Sequence, residues 1–527
     1  MLVAPPMGVV PIFVNVGAAA LPALIAALAS IVGLLLRPRE LWRACRRRPA
    51  RATAVVLAAA IAWFGGPALW KLATRAPGPA SGDEIDWSQV AVEMLQRQQL
   101  TRQTLASATA ARVGDVMFRQ DSTRSGFCGG PSPRRLALLW THSEENVMHL
   151  SSPVVAGKWV FGASCELDPP INYGSVFCLD IDTGKRRWLQ EYPKDPKTGE
   201  EVELKGFFSS PAVTADGRFL IIGQGLHVDK NCDLLCFDAE TGMLRWRIPT
   251  PLHLESSPVI SGDMAVVGAG AIEGKDLKPV GDPGFVLAVR ISDGAQLWRA
   301  AVNDPESSPA IAPDGTVYIG SGFNGSELVA LRSEPDDSLK AKGQSRVLWR
   351  QKTPFPATGA VTLAGDVAIV GCGNGNYIFA AREPAGAVLA FDRKTGRPVW
   401  ELPMPDSVLG AVAVRGDRAV CAVRNGEVVA IDLRTQRILW RSRAAGKTPI
   451  LTGPAFTGEL VYAVTKDGYL AVLDAADGSL VEKHYVNAES RPGELGLCIS
   501  SPTVAAGRVF VGSETGGLRC YVGRAAE

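Results

Sequence analysis

The 527 residues allow two to four domains, and 55 Lys+Arg against 53 Asp+Glu leave a net charge of +2, which excludes a nucleic-acid binder held by bulk charge. The 10 Cys include no CxxC and no CxxCH, so zinc ribbons and c-type haem attachment are excluded as well. Gly at 55 and Pro at 36 give the punctuation density of many short strands and tight turns.

The chain opens with an uncharged run at residues 8–36 and a second at 52–70, each long enough to span a bilayer. Between them lies RPRELWRACRRRPAR, in which Arg37, Arg39, Arg43, Arg46, Arg47, Arg48 and Arg51 face a single acid, Glu40. The positive-inside rule puts that loop in the cytoplasm, and two buried core helices would not carry it. No Lys or Arg precedes the first run, so it lacks the charged start of a cleaved signal peptide. Residues 1–75 are therefore expected to be a two-helix transmembrane anchor. Residues 76–114 follow as a Pro/Gly linker, APGPASGD, and a Gln-rich helix or spacer with Val90, Met94, Leu95, Leu100 and Leu105 as its apolar stripe.

From Ser151 a unit recurs at roughly 43- to 58-residue spacing, the period of propeller blades. Each unit starts on a small-polar phrase and runs through apolar strands into a D-x-x-T-G-type turn and a Trp-bearing strand. The phrase is Ser-Ser-Pro at Ser151, Ser209, Ser256, Ser307 and Ser500, with weaker versions at Thr358, Leu409 and Thr452. The tryptophans are Trp188, Trp246, Trp298, Trp349, Trp400 and Trp440, and Val481 is expected in that place in the seventh unit. The eighth unit ends at LRCYVG without its Trp strand, while a spare copy, RRLALLW, stands upstream at residues 134–140 and brings Trp140. Pairing these two ends closes a ring and removes the open sheet edges that invite aggregation. An open solenoid would need capping repeats at both ends, which the sequence does not show.

DIDTGKRRW, DAETGMLRW and DRKTGRPVW resemble the tryptophan-docking repeat of quinoprotein-like (PQQ-like) β-propellers, a superfamily that includes quinoprotein alcohol dehydrogenases and BamB-like scaffold lipoproteins. The resemblance spans about residues 115–523. It implies an all-β fold, an eight-bladed PQQ-like β-propeller over 115–527, here preceded by two transmembrane α-helices. It also implies that Trp140, Trp188, Trp246, Trp298, Trp349, Trp400 and Trp440 dock blade onto blade.

Strand alternation assigns loops to faces. Turns between first and second strands are minimal (AGK, ADGR, SGD, PDGT), whereas insertions at 163–175, 224–233, 269–284 and 372–386 and the interblade loop 190–206 share the opposite side. Only 333–345 breaks the pattern. Loops longer than a turn requires are where binding concentrates, so this decorated side is the expected binding face. Its candidate residues are His149, Glu166, Asp168, His227, Asp229, Glu255, Glu306, Asn374 and Tyr377; His149 and His253 lie just before inner strands, and Glu255 and Glu306 are expected as neighbours at the channel mouth. Such carboxylates and imidazoles either hold a cation or polar ligand or form a solvated rim, and their long-range spacing is no metal motif. Cys178, Cys236 and Cys520 share a third-strand slot that other units fill with Ala, which reads as a small core position. Cys165 and Cys232, on adjacent insertions, are candidates for a disulfide in an oxidising compartment.

The dehydrogenase branch of the family implies an adjacent Cys-Cys disulfide, a calcium site and an Asp base. The sequence has no Cys-Cys pair and no match for the others. The expected function is a non-catalytic scaffold on the extracytoplasmic side of the cytoplasmic membrane, in envelope protein assembly. It holds a protein partner on the decorated face, with no catalytic residues, metal or cofactor. A PQQ-dependent oxidoreductase and a ligand-sensing domain are the alternatives.

Overall fold

The computed structural model describes residues 116–168, 173–272, 279–443 and 445–524. The expected anchor and the 76–114 segment lie outside them. Among the described residues no helix is long and apolar enough to cross a membrane.

Eight antiparallel sheets follow one another along the chain. Blade three is typical, with strands Val259–Ser261, Met264–Ala269, Phe285–Arg290 and Gln296–Ala301. Alternation of Val, Ile, Leu and Ala places apolar side chains on both faces of every inner strand. Successive blades clamp them into clusters, such as that of Ile369, Val388, Val412, Ala419 and Val429 between blades five and six. Closure follows the expected pairing. Leu136–His142 completes the last blade beside Leu518–Gly523, with Leu136 opposite Gly523 and Trp140 opposite Cys520.

The repeated residues each have a mechanical task. The indole of Trp246 donates to the Ile291 carbonyl of the next blade at 2.7 Å, and Trp140, Trp188, Trp298, Trp349 and Trp440 make the same bond to Ile181, Ala239, Ser333, Arg393 and Ala475. Gly294, at φ +74°, lies under the Trp246 ring, where an added Cβ would come within 2.8 Å. In blade six Gln436 (φ 59°) holds that turn position, and Trp400 packs half-buried between blades five and six. The third-strand small residue stands directly opposite each Trp, Cys178 to Trp188, Cys236 to Trp246 and Ala390 to Trp400, next to a bulge. A larger side chain there would displace the ring.

The serines form a belt around the axis. The second serine of each phrase accepts from the backbone of the preceding blade: Ser501 N to Ser152 Oγ, Ser152 N to Ser210 Oγ, Ser210 N to Ser257 Oγ and Ser257 N to Ser308 Oγ, all at 2.9–3.0 Å.

Four expectations are corrected. In blade seven Glu482, not Val481, stands opposite the third-strand slot (Val472), because the bulge offsets the register. Its carboxylate accepts from the Leu136 amide at 2.6 Å and pairs with Arg524 at 2.8 Å, so it latches the closing strand. Cys165 and Cys232 are buried free thiols and form no disulfide. The two ends of 163–175 are strand rather than loop. Trp159–Glu166 and Gly174–Asp180 continue as a ladder that pairs Ser164 with Ser175. Finally, His149 does not reach the rim. It is 2% exposed, packed edge-on to Phe177 with ring centroids 5.4 Å apart, and burial lowers its pKa to about 3. The 333–345 exception folds into a short helix, Asp336–Ala341, anchored by buried Leu339.

One element has no counterpart in the repeat. Residues 116–128 thread the axis. Val116–Met117 pairs with blade two, and the carbonyls of Ser122, Thr123, Ser125 and Gly126 then accept from Ile311, Leu363, Val414 and Phe456 on the inner strands of blades four to seven. Asp121 holds the turn through the amides and hydroxyls of Thr123 and Ser125. Arg124, fully buried, donates to the carbonyls of Pro309 (2.9 Å), Phe118 (2.6 Å), Ser257 (2.7 Å) and Pro258 (2.9 Å). Arg119 does the same for Gly453 and Pro454, passing over Gly126, where a Cβ would collide with its guanidinium. Inner strands begin at a crowded axis with carbonyls that no ladder satisfies. The two arginines supply those carbonyls with donors.

Candidate functional site

Above this plug lies an axial cavity with about 640 Å³ of atom-free space, part of it open to solvent. Phe118 of the plug is among its lining residues, together with the belt residues Ser152, Ser210, Ser257, Ser308 and Ser501. The phrase that begins each inner strand thus surrounds the cavity, which puts it on the decorated side.

The upper wall has two chemistries. One sector is apolar. Leu150, Leu409, Leu451 and Ile499 form a cluster joined by Phe208 and Tyr377, whose rings meet edge-on at 5.4 Å. The other is acidic, with Glu255 and Glu306 lining the same cavity. Burial and the Glu306 charge hold the Glu255 carboxyl well above its ordinary range. No Lys or Arg is among the lining residues.

Beside Glu306 stands His227, its Nδ1 2.8 Å from Glu306 Oε1. The ring of buried His253 is 5.4 Å from that of His227 between centroids. These three side chains bring their donor atoms within 4.8 Å of one another, the one such His/Cys/Asp/Glu grouping among the described residues. Sequence reading named His227, His253 and Glu306 separately on the decorated face and did not join them. His227 rides on the blade-two insertion and His253 and Glu306 on the links into blades three and four, and only the packing of those blades joins them.

The remaining candidates separate by task. Asp229 accepts from the Leu226 amide at 2.8 Å, and Asn374 ties Glu383 and Ala385, so both shape their own loops. Glu166 ends a strand opposite Val147. Asp168 pairs with Arg491 at 2.6 Å on the exposed rim. Tyr377 roofs the cavity, its hydroxyl 3.4 Å from the Leu409 carbonyl. Next to it Ile378 and Phe379 are 65% and 69% exposed, and Val228 on the blade-two insertion is 73% exposed.

The family model for outer membrane protein assembly factor BamB matches residues 174–337 and 336–527. The outer membrane protein assembly factor BamB of Bordetella pertussis is 25% identical over 423 residues, covering 77% of this chain and 93% of that protein. A dehydrogenase subunit of quinone alcohol dehydrogenase from Gluconobacter oxydans is 23% identical over 383 residues, 64% of this chain and 46% of its own. Among solved structures, BamB from Moraxella catarrhalis superposes with a TM-score of 0.50 at 16% identity, covering 73% of this chain and 99% of that one. The chain belongs to the PQQ-like repeat family described as outer membrane protein assembly factor BamB.

Proposed function

We propose that this chain is a non-catalytic scaffold, held at a membrane by residues 1–75 with the propeller on the extracytoplasmic side, whose decorated face binds a protein partner in envelope protein assembly. The observation that carries the reading is the exposure of Ile378, Phe379 and Val228 at the tips of insertions on that face. Large apolar side chains held out on folded loops are the anchors from which protein interfaces draw most of their energy. Relatives named as outer membrane protein assembly factors support the class of process, and the arginine loop between two uncharged runs supports the anchor.

The dehydrogenase relatives raise a second reading, with pyrroloquinoline quinone in the axial cavity. That cofactor carries three carboxylates and needs cationic partners. The cavity offers two glutamates and no Lys or Arg, and the nearest guanidinium groups, Arg119 and Arg124, are bonded to backbone carbonyls in the plug. The lining therefore does not fit the cofactor, and no oxidative step is assigned to it.

The scaffold reading is tested by affinity capture from solubilised membranes with the double variant Ile378→Asp, Phe379→Asp beside Lys158→Glu, Asp366→Lys on the short-turn side. Loss of a specific envelope partner from the first variant alone is expected. Equal capture by the first and loss from the second would put the binding face on the wrong side.

A further inference from the structure

We propose that His227, His253 and Glu306 form a binding site for a divalent transition metal ion of the zinc class at the mouth of the axial cavity. Each ligand is supplied by a different part of the ring. His227 rides on the blade-two insertion, whose turn is fixed by Asp229 and Leu226 bonding to each other twice, at 2.7 and 2.8 Å. His253 lies in the link from blade two to blade three, and its carbonyl accepts from Gly270. Glu306 opens blade four. The three donor atoms lie within 4.8 Å of one another, a spacing that a small side-chain adjustment closes onto one ion.

Three independent features point to a cation. First, His253 is fully buried, its Nε2 is 3.1 Å from the Ala271 carbonyl, and its Nδ1 has no hydrogen-bonding partner. An imidazole with one nitrogen held by a backbone carbonyl and the other unused is the arrangement of a metal-ligating histidine. Second, the packing around the cluster has been kept clear of side chains. A Cβ on Gly270 would stand 2.5 Å from His253 Cε1 and 2.9 Å from Glu306 Cγ, and one on Gly322 would stand 2.8 Å from Glu306 Oε2. Third, no Lys or Arg is among the lining residues of the adjoining cavity, so no resident cation opposes a metal ion there. Two imidazoles with one carboxylate select zinc, or cobalt and nickel in its place, over calcium and magnesium, which prefer oxygen alone. With three protein ligands, a fourth coordination position is left for water or for a donor group of a partner.

The test uses the full chain, purified without a polyhistidine tag and stripped with chelator, then titrated with Zn²⁺ by calorimetry and with Co²⁺ by visible absorption. One equivalent per chain and visible ligand-field bands of tetrahedral intensity are expected. His227→Ala, at a half-exposed position (39% side-chain exposure) that the fold tolerates, should weaken binding roughly 100-fold or more, and Glu306→Gln should do likewise. His149→Gln, a buried histidine outside the cluster, should leave it unchanged. No one-equivalent binding, or affinity unchanged from the unsubstituted chain in the His227→Ala and Glu306→Gln proteins, would overturn the site. Because the readout is metal affinity, it is independent of whether the decorated face captures a protein.

Discussion

Replacing Arg124 by Met keeps the stem and removes the guanidinium from the axial plug. Four carbonyls then lose their donor, those of Phe118, Ser257, Pro258 and Pro309. An unsatisfied buried acceptor costs about 1–3 kcal/mol. The cavity above the plug can admit water to some of these groups, so the low end of each figure applies, and the sum is about 4 kcal/mol. That lies in the range of about 3–5 kcal/mol for breaking a buried charged network. Arg119→Met frees two carbonyls, Gly453 and Pro454, and should cost about half as much. Urea unfolding of the full chain, followed by tryptophan fluorescence, measures both. A loss under about 1 kcal/mol for Arg124→Met, or a larger loss for Arg119→Met, would refute the idea that the plug satisfies the inner-strand carbonyls.

Three further outcomes follow from the geometry. Gly294→Ala forces a Cβ into the Trp246 ring at a φ of +74° and should destabilise by about 2 kcal/mol in the same unfolding assay, from strain and overpacking together. Deleting residues 134–140 removes most of the closing strand Leu136–His142 and should leave an edge that aggregates, read by light scattering of the purified chain. His149 is held neutral, with its pKa lowered from 6.5 to about 3 by burial. Between those values the unfolded chain binds a proton that the native one does not. Its contribution is therefore complete above pH 6.5 and is lost as pH falls, by about 3 kcal/mol at pH 4 and up to about 5 kcal/mol below the native value. His149→Gln should flatten stability measured from pH 7 to pH 4, and an unchanged slope would contradict the burial.

Legibility in the sequence followed repetition. The Ser-Ser-Pro phrase and the docking tryptophans could be read because most blades need the same bond at the same place, so ring and closure followed. Val481 was misassigned because a bulge shifts each outer strand. Counting from the turn aspartate, as from Asp432 to Trp440, leads from Asp474 to Glu482. Residues 116–128 carry no periodic signal, because their partners are backbone carbonyls and amides of many blades rather than a facing apolar strand. His149 precedes an inner strand, as His253 does. It turns inward because Gly512 and Phe177 leave it room between blades one and eight. The His227–His253–Glu306 grouping was invisible for a related reason, since its members are far apart in sequence and meet only when blades two to four pack together.

The most direct measurement of which side binds is in-cell photo-cross-linking. A photoreactive phenylalanine analogue placed at Phe379 and at Val228, on the decorated side, is compared with one at Met243, an exposed apolar tip on the short-turn side. Adducts to the same envelope protein from Phe379 and Val228, and none from Met243, are the predicted result. Adducts from Met243 alone would contradict the assignment of the binding face and, with it, the scaffold reading built on those exposed tips.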